Sequence, residues 1–131
     1  LKVSSTRGVA RVFYVGALGL EVGRRLDKNW AELVGAPIPI DLLKRASGTP
    51  MNPPPDAAFR SYERHWTPVH LDFVVEDLDA TVERVRAAGG ALEGDIQTYR
   101  YGRFAGRADP FAHGFCLLEF HGRGYDELLD S

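Results

Sequence analysis

The stretch His70-Leu71-Asp72-Phe73-Val74-Val75-Glu76-Asp77-Leu78-Asp79 decides the fold. Side chains alternate faces along a strand, so His70, Asp72 and Val74 share one side while Leu71, Phe73 and Val75 share the other. The second set is uniformly large and apolar and belongs against a helix, which leaves His70 and Asp72 on the opposite face. The helix follows at once. Asp79 is its expected cap, Leu78, Val82 and Val85 fall on one side of it, and Gly89-Gly90 stops it. Strands are then expected over Ala91 to Ile96, Arg103 to Ala108 and Gly114 to Phe120, with Asp109-Pro110 as a turn. The tail from His121 to Ser131 is expected to end in a short helix.

Upstream the same order recurs. Leu1-Lys2-Val3-Ser4 reads as strand, and Ser5 or Thr6 can cap a helix that carries Val9, Val12, Phe13 and Ala17 and ends at Gly19. Strand candidates follow at Leu20 to Arg25, Trp30 to Val34 and Ile38 to Arg45. A slide of seventy residues lays Gly19 on Gly89, Val15 on Val85, Val12 on Val82 and Ala10 on Ala80. That coincidence of core face and stop signal predicts an internal duplication, against the plainer reading of an α+β domain with chance spacing. The prolines between Ser47 and Asp56 exclude helix or central strand there. The expected plan is a single domain with module one at 1–46, a linker at 47–68, module two at 69–120 and a tail at 121–131. Its class is α+β, with two βαβββ modules forming a cupped mixed β-sheet and the helices outside.

Composition narrows the function. The chain has 131 residues, 44% hydrophobic and 26% charged, enough for one real core. Sixteen Lys+Arg against eighteen Asp+Glu leave a net charge of −2, which argues against nucleic acid or an acidic membrane as partner. No apolar run approaches a spanning helix, and the lone Cys116 cannot form an internal disulfide, so the cytoplasm is the expected compartment. The first residue is Leu1 rather than Met, so further residues are expected before it.

The segment from His70 to Asp79 resembles the opening of a module in the vicinal oxygen chelate superfamily, which includes glyoxalase I, bleomycin-resistance proteins and extradiol dioxygenases. Ala108-Asp109-Pro110-Phe111-Ala112-His113-Gly114-Phe115-Cys116-Leu117-Leu118-Glu119-Phe120 resembles its closing signature. Val82 to Gly90 matches the helix and glycine stop between them. Ala10-Arg11-Val12-Phe13-Tyr14 with Leu18-Gly19-Leu20 resembles the first-module helix. The resemblance implies a metal on inward-facing residues of the first and last strands of each module, a divalent ion such as Zn, Ni, Fe or Mn, and a homodimer.

On that resemblance His70 and Glu119 are expected as metal ligands, or as a direct His–Glu hydrogen bond in an empty cup. Glu119 is also the expected catalytic carboxylate. The first-module counterpart of His70 falls at or before Leu1. The counterpart of Glu119 is Asp41 if Ile40-Asp41-Leu42 aligns with Leu118-Glu119-Phe120, or Lys44 if the double leucines align. Asp72, Arg103, Phe115, Tyr101 and Trp30 are the expected substrate contacts, with Tyr99 beside them: guanidinium forks suit planar anions, and aromatic rings stack on ligands. Arg107 is expected at the surface, His113 as structural, His121 as tail, and His65 and Trp66 as a rim or dimer contact. Cys116 is expected on the helix face, buried and inert. Three functions compete: a metal-dependent lyase, isomerase or dioxygenase on a small oxygenated metabolite, a metal-free drug- or metabolite-binding protein, and a pseudoenzyme with a protein partner.

Overall fold

The computed structural model describes residues 2–3, 8–51 and 58–129. Ser5, Thr6 and the prolines at 53–55 lie outside the described residues. The chain forms two compact units, Leu1–Glu63 and Arg64–Ser131. In the first, β1 (Lys2–Val3), α1 (Val9–Leu18), β2 (Glu21–Asp27), β3 (Trp30–Val34) and β4 (Ile40–Lys44) follow in order. In the second, β5 (Leu71–Val74), α2 (Leu78–Ala87), β6 (Ala91–Tyr99), β7 (Gly102–Ala108) and β8 (Gly114–Phe120) repeat that order, and a 3₁₀ turn at Gly124–Leu128 ends it. The sheets run β1-β4-β3-β2 and β5-β8-β7-β6. In each, the outer first strand is parallel to the last, and the remaining pairs are antiparallel. The fold is α+β, two βαβββ modules with mixed sheets.

Local chemistry explains the helix ends. Asp77 in extended conformation caps α2, its Oδ1 accepting the Ala80 N–H at 2.9 Å. The cap therefore stands two residues before the expected Asp79. Helix α1 ends at Gly19, whose φ of 69° is the left-handed stop read in the sequence.

The buried faces require a correction. Helix α2 buries Leu78, Thr81, Val82 and Val85, whereas α1 buries Ala10, Phe13, Tyr14 and Ala17. Val12, expected in the core, is 60% exposed. The two faces match at a slide of sixty-eight, not seventy. Because α1 is apolar nearly all round, spacing alone offers it two faces. Phe13 and Tyr14, in edge contact at 5.1 Å, carry the larger area and take the inside.

Two turns set the edges of the second sheet. Between β7 and β8, buried Asp109 accepts the N–H groups of Phe111 at 2.8 Å and His113 at 2.9 Å through Oδ1. The same turn holds Ala112 at a φ of 65°. At the start of β7, Gly102 at φ 145° lies so close to β8 that a Cβ would sit 2.0 Å from the Glu119 carbonyl oxygen. At the end of the first unit the chain after β4 folds back on itself: Gly48 donates to the Arg60 carbonyl at 2.8 Å and Met51 to that of Ala58 at 2.8 Å.

Candidate functional site

In the second sheet Leu71 pairs with Phe115, Asp72 with Cys116, Phe73 with Leu117 and Val74 with Leu118. Paired residues share a face. Leu71, Phe73, Phe115, Leu117 and Glu119 thus line one side, and His70, Asp72, Cys116, Leu118 and Phe120 the other. Phe73 and Phe115 meet edge-on at 6.0 Å, and α2 covers their side. The strand-parity reading holds for His70 and Asp72, which occupy the helix-free face.

Glu119 does not join them. Its Oε2 accepts the Leu78 N–H at 2.7 Å, and its Oε1 lies 2.9 Å from His121 Nε2 and 3.6 Å from Arg103 Nη1. The carboxylate closes the N-terminus of α2, on the opposite face from His70. The hydrogen bonds from Leu78 and His121 hold its carboxyl below the ordinary carboxylate range. The expected His70–Glu119 pairing fails on parity, and His121, expected as tail, is part of the Glu119 cluster.

Arg103 stands on the same helix side. Both its Nη atoms lie 2.9 Å from the Asp79 carboxylate, joining β7 to the first turn of α2. Phe115, expected to stack on a ligand, is 3% exposed beneath the helix. Arg107 is 2% exposed rather than on the surface, and burial lowers its pKa.

The helix-free face carries a different constellation. One donor atom from each of His70, Asp72 and Cys116 lies within 4.8 Å of the others, and His70 Nε2 is 3.1 Å from Asp72 Oδ1. Cys116 is 3% exposed, while the side chains of His70 and Asp72 reach water. Burial, with Asp72 beside it, pushes the thiol pKa up to about 12. Cys116 is thus buried, as expected, but it is not on the helix face. Sequence reasoning missed it as a site residue although the signal was present: Cys116 and Glu119 are three apart, so only one can share a face with His70.

An aromatic wall flanks this group. Tyr99 and Tyr101 stack at 5.2 Å with planes 6° apart, Tyr101 meets Tyr125 at 5.0 Å, and Tyr125 meets Phe120 at 4.8 Å. Burial first, then the neighbouring tyrosines, Asp72 and Cys116, raise the Tyr101 pKa, which puts this expected contact residue near the donors. On the other flank Trp66 meets His70 edge-on at 5.2 Å, with Arg64 4.5 Å above the indole. Gly114 makes room for that indole, since a Cβ there would meet it at 2.8 Å.

In the first unit Trp30 Nε1 donates to Asp41 Oδ1 at 3.0 Å. Beside them Glu32, 7% exposed, pairs with Arg24 at 2.6 Å. Lys44, the other candidate from the leucine alignment, falls on the parity of buried Leu42 and is itself exposed.

The donor set suits a cation. Imidazole, carboxylate and thiolate are all ligands of divalent metals, and a tetrahedral zinc separates its donors by about 3.5 Å.

Comparison with known proteins agrees with this architecture. No helix among the described residues is long and apolar enough to cross a membrane. None of the curated proteins matches the chain. Among solved structures, FosX from Listeria monocytogenes complexed with Mn(II) and 1S,2S-dihydroxypropylphosphonic acid is 20% identical, covering 90% of this chain and 83% of its own at a TM-score of 0.65. Lactoylglutathione lyase from Agrobacterium tumefaciens is 16% identical over 91% of this chain and 88% of its own, TM-score 0.60. TnmS3, an antibiotic binding protein from Streptomyces sp. CB03234, is 22% identical over 92% of this chain and 93% of its own, TM-score 0.58. These likenesses carry the fold. A family model described as a glyoxalase-like domain matches residues 5–118, and the chain belongs to that family.

Proposed function

We propose that the chain is a metal-dependent enzyme of lyase, isomerase or dioxygenase type, acting on a small oxygenated metabolite over the helix-free face of its second module. The observation that carries this reading is the convergence of His70, Asp72 and Cys116 within 4.8 Å beside open solvent. A divalent cation bound there would supply a Lewis acid for substrate oxygens. The chain's own residues do the rest. His70, Asp72 and buried Cys116 would hold the cation, and Tyr99, Tyr101 and Tyr125 would give a ligand an apolar wall. The Mn(II) in the FosX complex supports metal chemistry on this fold. Asp41 remains a candidate ligand of the first module, with one carboxylate oxygen engaged by Trp30.

Elemental analysis of protein purified without a histidine tag tests the reading. About one divalent cation per chain is expected, lost in His70→Ala. Clean metal-free protein that gains none on incubation with zinc, manganese, iron or nickel would overturn it. The aromatic wall favours one second reading, a metal-free binding protein for a drug or metabolite, in line with the antibiotic-binding TnmS3. On that reading, ligand affinity falls in Tyr101→Ala and is unchanged by chelators. Assembly as a homodimer goes with either reading, since Phe59 and Trp66 are 61% and 48% exposed.

A further inference from the structure

Resting on the metal reading above, we infer that the site selects a thiophilic cation of the zinc class, bound through the Cys116 thiolate, and discriminates against hard manganese-type ions. Three observations carry this. Cys116 is the only one of the three donors that is buried, so the sulfur forms the floor of the site while His70 and Asp72 stand at its rim. The pairing of Asp72 with Cys116 in adjacent parallel strands fixes their side chains side by side, so any cation held by Asp72 on this face meets the sulfur. Glu119, the carboxylate that would harden the set, is committed to the Leu78 N–H on the other side of the sheet. A thiolate favours zinc, cobalt(II) and related ions, whereas oxygen-rich sets suit manganese and magnesium.

Binding on these terms is an exchange without redox change. The dication enters, the Cys116 S–H bond breaks, its proton passes to solvent, and the sulfur lone pair forms the metal–sulfur bond. Zinc binding at least about 100-fold tighter than manganese is expected from such a donor set.

Cobalt(II) is the probe. Tag-free protein, stripped with a chelator and titrated with Co²⁺, should develop the near-ultraviolet sulfur-to-cobalt charge-transfer band with one equivalent. Zn²⁺ should bleach the band stoichiometrically, and a hundredfold excess of Mn²⁺ should leave it. Cys116→Ser should abolish the band while circular dichroism stays native. If that buried change unfolds the chain, His70→Gln serves instead: it removes a ligand, so Co²⁺ should no longer stay bound through purification, while added in excess it should still raise the sulfur band. Co²⁺ bound without a sulfur band, or readily displaced by Mn²⁺, overturns the inference and leaves the metal reading standing. Failure of Co²⁺, Zn²⁺ and Mn²⁺ all to bind overturns the metal reading itself.

Discussion

Replacing Glu119 by Ala separates a structural carboxylate from a metal ligand. The side chain is 16% exposed and accepts the Leu78 N–H at 2.7 Å, at the first turn of α2. A hydrogen bond to a charged group contributes about 1.5–3 kcal/mol, and a carboxylate at a helix N-terminus a further ~0.3–1 kcal/mol. The contact with exposed His121 adds ~0–1 kcal/mol. Partial exposure favours the low end of each range, so a loss of about 2 kcal/mol is expected. With a urea slope of about 1.5 kcal/mol/M, the unfolding midpoint should fall by about 1.3 M. Glu119→Gln keeps an acceptor without the charge and should lose roughly half as much. Because the folded-state carboxyl lies below its ordinary 4.5, its contribution is fully present above that value and is lost as pH falls through the folded-state pKa. The acid limb of the stability profile should therefore flatten in Glu119→Ala. Metal content should be unchanged, since the carboxylate faces α2. An unchanged midpoint together with loss of metal would refute the assignment of Glu119 to the helix side.

Other outcomes follow from the turns and the exposed aromatics. Ala112→Gly, relieving a non-glycine residue at φ 65°, should raise stability by about 0.5–1 kcal/mol in chemical unfolding. Gly102→Ala should cost at least about 2 kcal/mol, since its Cβ would lie 2.0 Å from the Glu119 carbonyl oxygen; a midpoint within error of the parent would refute that close approach. Sedimentation velocity at micromolar concentration should give a dimer, and a clean monomer would count against the assembly proposed from Phe59 and Trp66.

Strand and helix order was legible because alternation and glycine stops are local signals. Trp30–Val34 and Gly114–Phe120 fall on their expected bounds. The inward face of α1 was not legible. In Val9–Leu18 most residues are apolar, and the choice between Val12 and the Phe13–Tyr14 pair rests on packing. The capping of α2 was half legible: aspartates stand at 77 and 79, and Asp79, in the first turn, pairs with Arg103 while Asp77 takes the cap. Arg107 was misplaced for a similar reason, because alternation placed it beside Arg103 but gave no account of how deeply its end of β7 is covered.

The character of the site turns on a single register. A one-residue slip between β5 and β8 would move every side chain of β8 to the other face. With Asp72 opposite Cys116, the sulfur joins His70 and the carboxylate of Glu119 is sent to α2. Both ends of this arrangement are satisfied at once. The helix terminus needs an acceptor for its first N–H and receives a carboxylate, whereas the helix-free face receives a thiol that Asp72 and burial hold protonated in the free protein. A metal ligand set chosen by counting acidic residues in the closing motif selects Glu119. A set chosen by the strand register selects Cys116, and with it a different hardness of donor. The donors offered at this face therefore follow from sheet geometry before they follow from the motif, since on the proposed metal reading a cation would meet whichever side chain the register turns toward His70.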